Sequence, residues 1–133
     1  MDGLVGSEMC IRDRPAAERW ASYETSCSTL RAGVRRVSGK SALSMARLEA
    51  HYFVNDCFLP PDHIMKHINV IRHLTAHIIQ GRHDVICPPV TAHRLAEAWG
   101  RQATLRLVDD AGHSTFETGI AHALLASLDE FAV

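Results

Sequence analysis

Ala76 to Phe131 reads AHIIQGRHDVICPPVTAHRLAEAWGRQATLRLVDDAGHSTFETGIAHALLASLDEF, and its changes of period decide the fold class. Ala76 to Gln80 (AHIIQ) is a short β-type run that stops at Gly81. Val90 to Trp99 then puts Ala92, Leu95, Ala96 and Trp99 on one helical face. Thr104 to Val108 is strand-like again, and Ile120, Ala123, Leu124, Leu128 and Phe131 line one side of a terminal helix. Strand, helix, strand, helix with short loops predicts two βα units of a parallel sheet joined by a right-handed crossover. The expected class is therefore α/β.

Upstream the pattern is helical. Ala16 to Thr29 mixes apolar and polar residues around Trp20 and Tyr23, and Arg31 to Lys40 is a basic connector containing glycine. In Ser41 to Phe53, Met45, Leu48 and Tyr52 recur at spacings of three and four, and Ser41 is placed to cap the start. Pro60 and Pro61 break the chain, Asp62 is a second candidate cap, and Ile64, Ile68 and Ile71 mark a third helix. Met1 to Arg14 (MDGLVGSEMCIRDR) has neither period, and it resembles translated sequencing-adapter sequence. The expected organisation is a non-native leader at 1–14, a helical segment at 15–70 and an α/β segment at 71–133. On that expectation the native sequence continues upstream of Pro15.

Composition excludes several classes. The 133 residues carry 14 Lys+Arg against 15 Asp+Glu, a net charge of -1, which leaves no basic surplus for a nucleic-acid backbone or an anionic membrane surface. No run approaches the roughly 18 apolar residues of a membrane span. Cys10, Cys27, Cys57 and Cys87 are too far apart for a CxxC zinc or redox motif, and no secretory leader precedes them, so a cytoplasmic location is expected. His63 with His67, and His73 with His77, have the i, i+4 spacing of helical metal ligands. The first pair lacks the Glu of H-E-x-x-H and the second straddles a helix-to-strand junction, so no metal and no cofactor is expected.

Chemistry in an open parallel sheet gathers in the loops leaving the C-terminal strand ends. Two loops here have that position: Gly81-Arg82-His83-Asp84 after the first strand and Ala111-Gly112-His113-Ser114 after the second. Neighbouring parallel strands lie about 5 Å apart, so Asp84 and His113 would be within reach of each other. Asp84 could then accept from Nδ1 of His113 while Nε2 takes a proton from a nucleophile. Acid before histidine is the chain order of the α/β hydrolases, whose serine lies earlier on a G-x-S-x-G elbow. These residues contain no G-x-S-x-G.

Four segments resemble one family. Ile79 to Pro88 (IQGRHDVICP) and Asp109 to Gly119 (DDAGHSTFETG) look like the acid and histidine loops of the prolyl aminopeptidases, or proline iminopeptidases, serine peptidases of the α/β-hydrolase fold. Ala46 to Phe53 (ARLEAHYF) is similar to that family's cap-domain signature A-R-I-E-N-H-Y-F, and Trp20 to Glu24 (WASYE) resembles its W-x-x-W-E stretch. The likeness runs from about Ala17 to Val133 in one order.

The resemblance implies a C-terminal part of an α/β-hydrolase fold, the last two βα units preceded by a helical cap segment. It implies Asp84 and His113 as triad acid and base, and Glu24 and Glu49 as cap carboxylates holding the imino group of a substrate's N-terminal proline. Two carboxylates suit a terminal ammonium because they supply charge and acceptor lone pairs together. Tyr52 and Phe53 would shape the proline pocket. Ala50, Tyr23 and His83 depart from the usual Asn, Trp and Tyr, which bears on the pocket more than on the dyad.

Without the serine elbow and the upstream oxyanion segment, the chain alone is expected to be inactive. Its expected partners are peptides with a free N-terminal proline. Another cap-bearing hydrolase, such as an esterase or epoxide hydrolase, shares the strand-end Asp and His. A non-catalytic binding module is the alternative if Met1 is a true start. The sequence leaves the oligomeric state open.

Overall fold

The computed structural model describes residues 8–31, 33 and 35–132, which divide between two compact units. The first comprises the described residues of 1–26 and 32–60, and the second those of 27–31 and 61–133.

The first unit is built on α1 (Glu8–Cys27) and α2 (Gly39–Phe53). Alanines are its most buried apolar side chains: Ala17, Ala21 and Ala42. Three α1 residues four apart bind the backbone of the connector that returns the chain. Glu18 accepts from the Gly39 N–H at 3.1 Å, Ser22 Oγ from Val37 at 3.0 Å, and Ser26 Oγ from Arg35 at 3.3 Å. One face of a helix thus satisfies donors that no regular structure would pair.

This arrangement moves the start of α2. Ser41 was the expected cap, but the helix begins at Gly39, after a Ser38 whose side chain makes no cap bond. The Glu18 carboxylate supplies the acceptor instead, at the end of the helix where negative charge is favoured. Gly39 has φ +67°, a left-handed conformation in which glycine carries no Cβ penalty. The segment without a sequence period is helical in part. Glu8 to Arg14 form the first turns of α1, with Pro15 inside the helix, while Met1 to Ser7 lie outside the described residues. Glu, Met and Arg favour helix even where they make no amphipathic stripe.

In the second unit the single helix expected around Ile64, Ile68 and Ile71 is two short ones, α3 (His63–Lys66) and α4 (Ile68–Ile71), separated at His67 (φ -108°, ψ 13°). Asp62 does not cap α3 through its side chain. Its backbone is left-handed (φ 57°), whereas a capping residue is ordinarily extended.

Beyond them β1 (Ala76–Gly81), α5 (Pro89–Trp99), β2 (Ala103–Val108) and α6 (Thr118–Phe131) follow one another. The two strands pair in parallel with Ala76 opposite Ala103 and Gly81 opposite Val108. A mixed α/β architecture with a two-stranded parallel sheet is thus present, with α5 and α6 each packed on both strands. Pro89 opens α5, where its missing N–H costs nothing. Val108, Ala111, Ile120 and Ala123 form the core, with Ile79 against them. That core lies directly under the C-terminal ends of the strands. Among the described residues, no helix is long and apolar enough to cross a membrane.

Candidate active site

The site is built from the last residues of each strand and the loop that follows. Past Gly81 and Val108 the two loops stay hydrogen-bonded to each other, Arg82 N–H donating to Val108 O at 2.9 Å and His83 N–H to Ala111 O at 3.0 Å. This close approach requires glycine at position 81. A Cβ there would sit 1.9 Å from Gly112 O and 2.7 Å from Ala111 O.

Asp84 follows in a turn closed by its own N–H on Gly81 O at 3.3 Å, and its side chain is only 5% exposed. Four donors meet its carboxylate. Oδ1 accepts from the N–H groups of Ile86 at 3.0 Å and Cys87 at 2.8 Å; Oδ2 accepts from Gln80 Nε2 at 3.0 Å and from His113 Nδ1 at 3.0 Å. Burial pushes the carboxyl pKa up, but the Cys87 N–H, the His113 and Gln80 side-chain bonds and the His113 charge outweigh it. The net result is a carboxyl held below its ordinary value, an ionised acceptor.

An ionised carboxylate cannot donate, so the shared proton belongs on Nδ1 of His113 and Nε2 carries the lone pair. That is the tautomer a general base needs. The ring is 40% exposed, which leaves it open to a reacting partner while its acid stays out of water.

The histidine is held through its backbone. Ser28 O accepts from both His113 N–H at 3.0 Å and Ser114 N–H at 2.7 Å. Glu117, just before α6, accepts from Gly112 N–H at 2.6 Å and from Leu30 N–H at 2.9 Å. The Cys27–Arg31 segment and the histidine loop are therefore clipped together on both sides of His113. Gly112 lets them meet, since a Cβ there would stand 3.1 Å from Leu30 N and 3.3 Å from Glu117 Oε2.

The structure thus brings Asp84 and His113 into contact. The other candidates lie in the first unit. Glu24 is half-buried on α1. Glu49, on α2, accepts from the indole N–H of Trp20. Phe53 meets Trp20 edge-on at 6.4 Å, and Tyr52 makes an edge contact with Phe58 at 5.5 Å. An apolar hollow of about 310 Å³ lies between the helices, lined among others by Trp20, Leu43, Ala46 and Ala50.

Among the described residues no group of three or more His, Cys, Asp or Glu is placed to hold an ion. His67 Nδ1 lies 2.7 Å from His63 O, and the two rings stack at 4.3 Å. Gln80, Glu117 and Ser28 are the residues the sequence did not single out. Gln80 lies in the acid-loop segment Ile79 to Pro88, but a strand-end glutamine carries no signal of its own. Glu117 and Ser28 act through backbone atoms 87 and 85 residues away, and no local pattern reports that.

No family model matches the chain. Curated relatives do. It is 41% identical over 117 residues to a proline iminopeptidase of Arabidopsis thaliana, an alignment that covers 84% of this chain and 30% of the relative. It is 36% identical over 122 residues to that of Xanthomonas citri (88% and 39%) and 36% identical over 124 residues to that of Neisseria gonorrhoeae (92% and 38%). The chain thus spans between three and four tenths of the length of these relatives. At 36–41% identity over 84–92% of its own length, the chain is a homologue of the proline iminopeptidases.

Proposed function

We propose that this chain is the C-terminal part of an α/β-hydrolase-fold serine peptidase that releases proline from the N-terminus of peptides. The observation that carries the proposal is the Asp84–His113 pair, joined at 3.0 Å beyond adjacent parallel strands in a chain similar to proline iminopeptidases.

In this reading Asp84 holds the Nδ1–H tautomer and stabilises the imidazolium, and Nε2 of His113 accepts the proton of a serine supplied by sequence outside these 133 residues. The serine oxygen adds to the carbonyl carbon of the N-terminal proline. The imidazolium then gives its proton to the departing amine as the peptide bond breaks. Water, deprotonated by the same histidine, cleaves the resulting ester and frees proline. Glu24 and Glu49 hold the protonated imino group, and Tyr52 and Phe53 shape the pocket around the ring. An exopeptidase needs such a device because only the free terminus distinguishes its substrate from interior residues.

The chain on its own is expected to be inactive, since nucleophile and oxyanion donors are both required for acyl transfer. The reading also places the protein in the cytoplasm, where thiols such as Cys27, Cys57 and Cys87 stay reduced.

The test is made on the full-length gene product. A proline anilide should be hydrolysed, and Glu49→Gln should weaken free N-terminal proline substrates at least about tenfold while leaving blocked esters nearly unchanged. Equal losses on both would identify a general esterase. No hydrolysis of either would overturn the peptidase reading altogether.

A further inference from the structure

Gln80 is the last side chain before Gly81, and its amide nitrogen makes three contacts: Asp84 Oδ2 at 3.0 Å, Cys87 O at 3.1 Å and Gly81 O at 3.2 Å. All three partners are acceptors, which fixes the amide orientation with its nitrogen inward. The same Oδ2 receives Nδ1 of His113. Two donors therefore divide one carboxylate oxygen, and only one of them titrates.

We infer that Gln80 is a positioning residue that lowers the basicity of His113 by competing for Asp84 Oδ2. Its donation is the same whether the imidazole is neutral or charged. It draws electron density from the oxygen that faces Nδ1 and so weakens the carboxylate's pull on the imidazolium more than its pull on the neutral ring. The histidine is kept neutral, and competent as a base, to lower pH than a carboxylate devoted to it alone would allow. The bond to Cys87 O adds a second effect. It ties the far end of the acid loop to the strand, so that Asp84 cannot swing with His113.

Other ionisable side chains lie on the elements around the pair. Arg82 and Asp109 pair with each other at 2.6 Å, and Glu117 is taken up by the N–H groups of Gly112 and Leu30. His83, Cys87, Asp110 and Arg31 are exposed.

The kinetic test rests on the peptidase reading, whereas the spectroscopic one does not. In the full-length protein Gln80→Met keeps the length of the side chain and removes the donor. The acidic limb of the kcat/KM profile on a proline anilide, and the NMR titration midpoint of the His113 Cε1–H, should both move up by roughly half a pH unit. Gln80→Glu, which sets a second negative charge beside Asp84, should move them further in the same direction. A midpoint that stays in place or falls would show that Gln80 merely supports the loop and would overturn the inference. A midpoint that rises in a protein without peptidase activity would uphold it and count against the peptidase reading alone. If neither variant folds, hydrogen exchange in the unaltered protein decides. The Gln80 side-chain amide should exchange far more slowly than that of exposed Gln102, and equal rates would overturn the inference.

Discussion

Asp84→Asn is the perturbation whose outcome the geometry specifies most fully. The four lone-pair sites of Asp84 are all used, two by backbone N–H groups on Oδ1 and two by Gln80 and His113 on Oδ2. Asparagine keeps one acceptor oxygen. The backbone donors cannot rotate away, so the oxygen stays with Ile86 and Cys87 and the amide nitrogen faces Gln80 and Nδ1 of His113. Two charge-assisted bonds are lost. Each is worth about 1.5–3 kcal/mol in general, but the His113 ring is 40% exposed and its share belongs below that range, so a total near 2–3 kcal/mol is expected in urea unfolding. The larger consequence is chemical. His113 can bond the new donor only through an Nδ1 lone pair, which moves its proton to Nε2 and removes the base. On the proposed peptidase function, kcat of the full-length protein should fall by about 10³–10⁴, the scale of a wrong-tautomer defect in a serine triad. The ¹⁵N shifts of the imidazole report the tautomer directly. An Asp84→Asn protein that keeps the proton on Nδ1, or loses less than tenfold in kcat, would refute the reasoning.

Two further outcomes follow from the same loops. Gly81→Ala puts a methyl group 1.9 Å from a backbone oxygen, so the loops must part; a loss of more than about 3 kcal/mol is expected, read as a large drop in the urea midpoint. The depressed Asp84 pKa stabilises the fold fully above the ordinary aspartate value and progressively less as pH falls through the lowered folded one. A plot of unfolding free energy against pH should therefore bend downward below about pH 4, and Asp84→Asn should flatten that bend.

The α/β alternation was legible because both strands and both flanking helices keep their own period, and each is long enough to show it. The Asp84–His113 contact was legible for a related reason: a strand-end position turns loop residues 29 apart in sequence into neighbours, and parallel pairing keeps them within reach. The helix starts were not. The beginning of α2 is set by Glu18, 21 residues upstream, and not by the local serine. Asp62 has the right side chain for a cap and the wrong backbone. Both failures have one cause: capping depends on φ and on what else can supply an acceptor, and neither is a property of the capping residue.

The histidine loop shows why small residues and backbone contacts belong together at this site. Gly81, Ala111 and Gly112 are all buried, and the first and third would clash or crowd if given a Cβ. Small side chains let the acid loop, the histidine loop and the Cys27–Arg31 segment approach closely enough to exchange main-chain bonds. Those bonds run from His83 to Ala111 and from His113 and Ser114 to Ser28, and the Glu117 carboxylate adds side-chain acceptors for Gly112 and Leu30. A histidine held through packing alone could follow its carboxylate as either one moved. One fixed by its own N–H and its neighbours' cannot, so the main chain beneath the ring is held while the bond to Asp84 sets the direction of the ring. On the proposed function, the exposed face of the ring is the side from which a serine would approach.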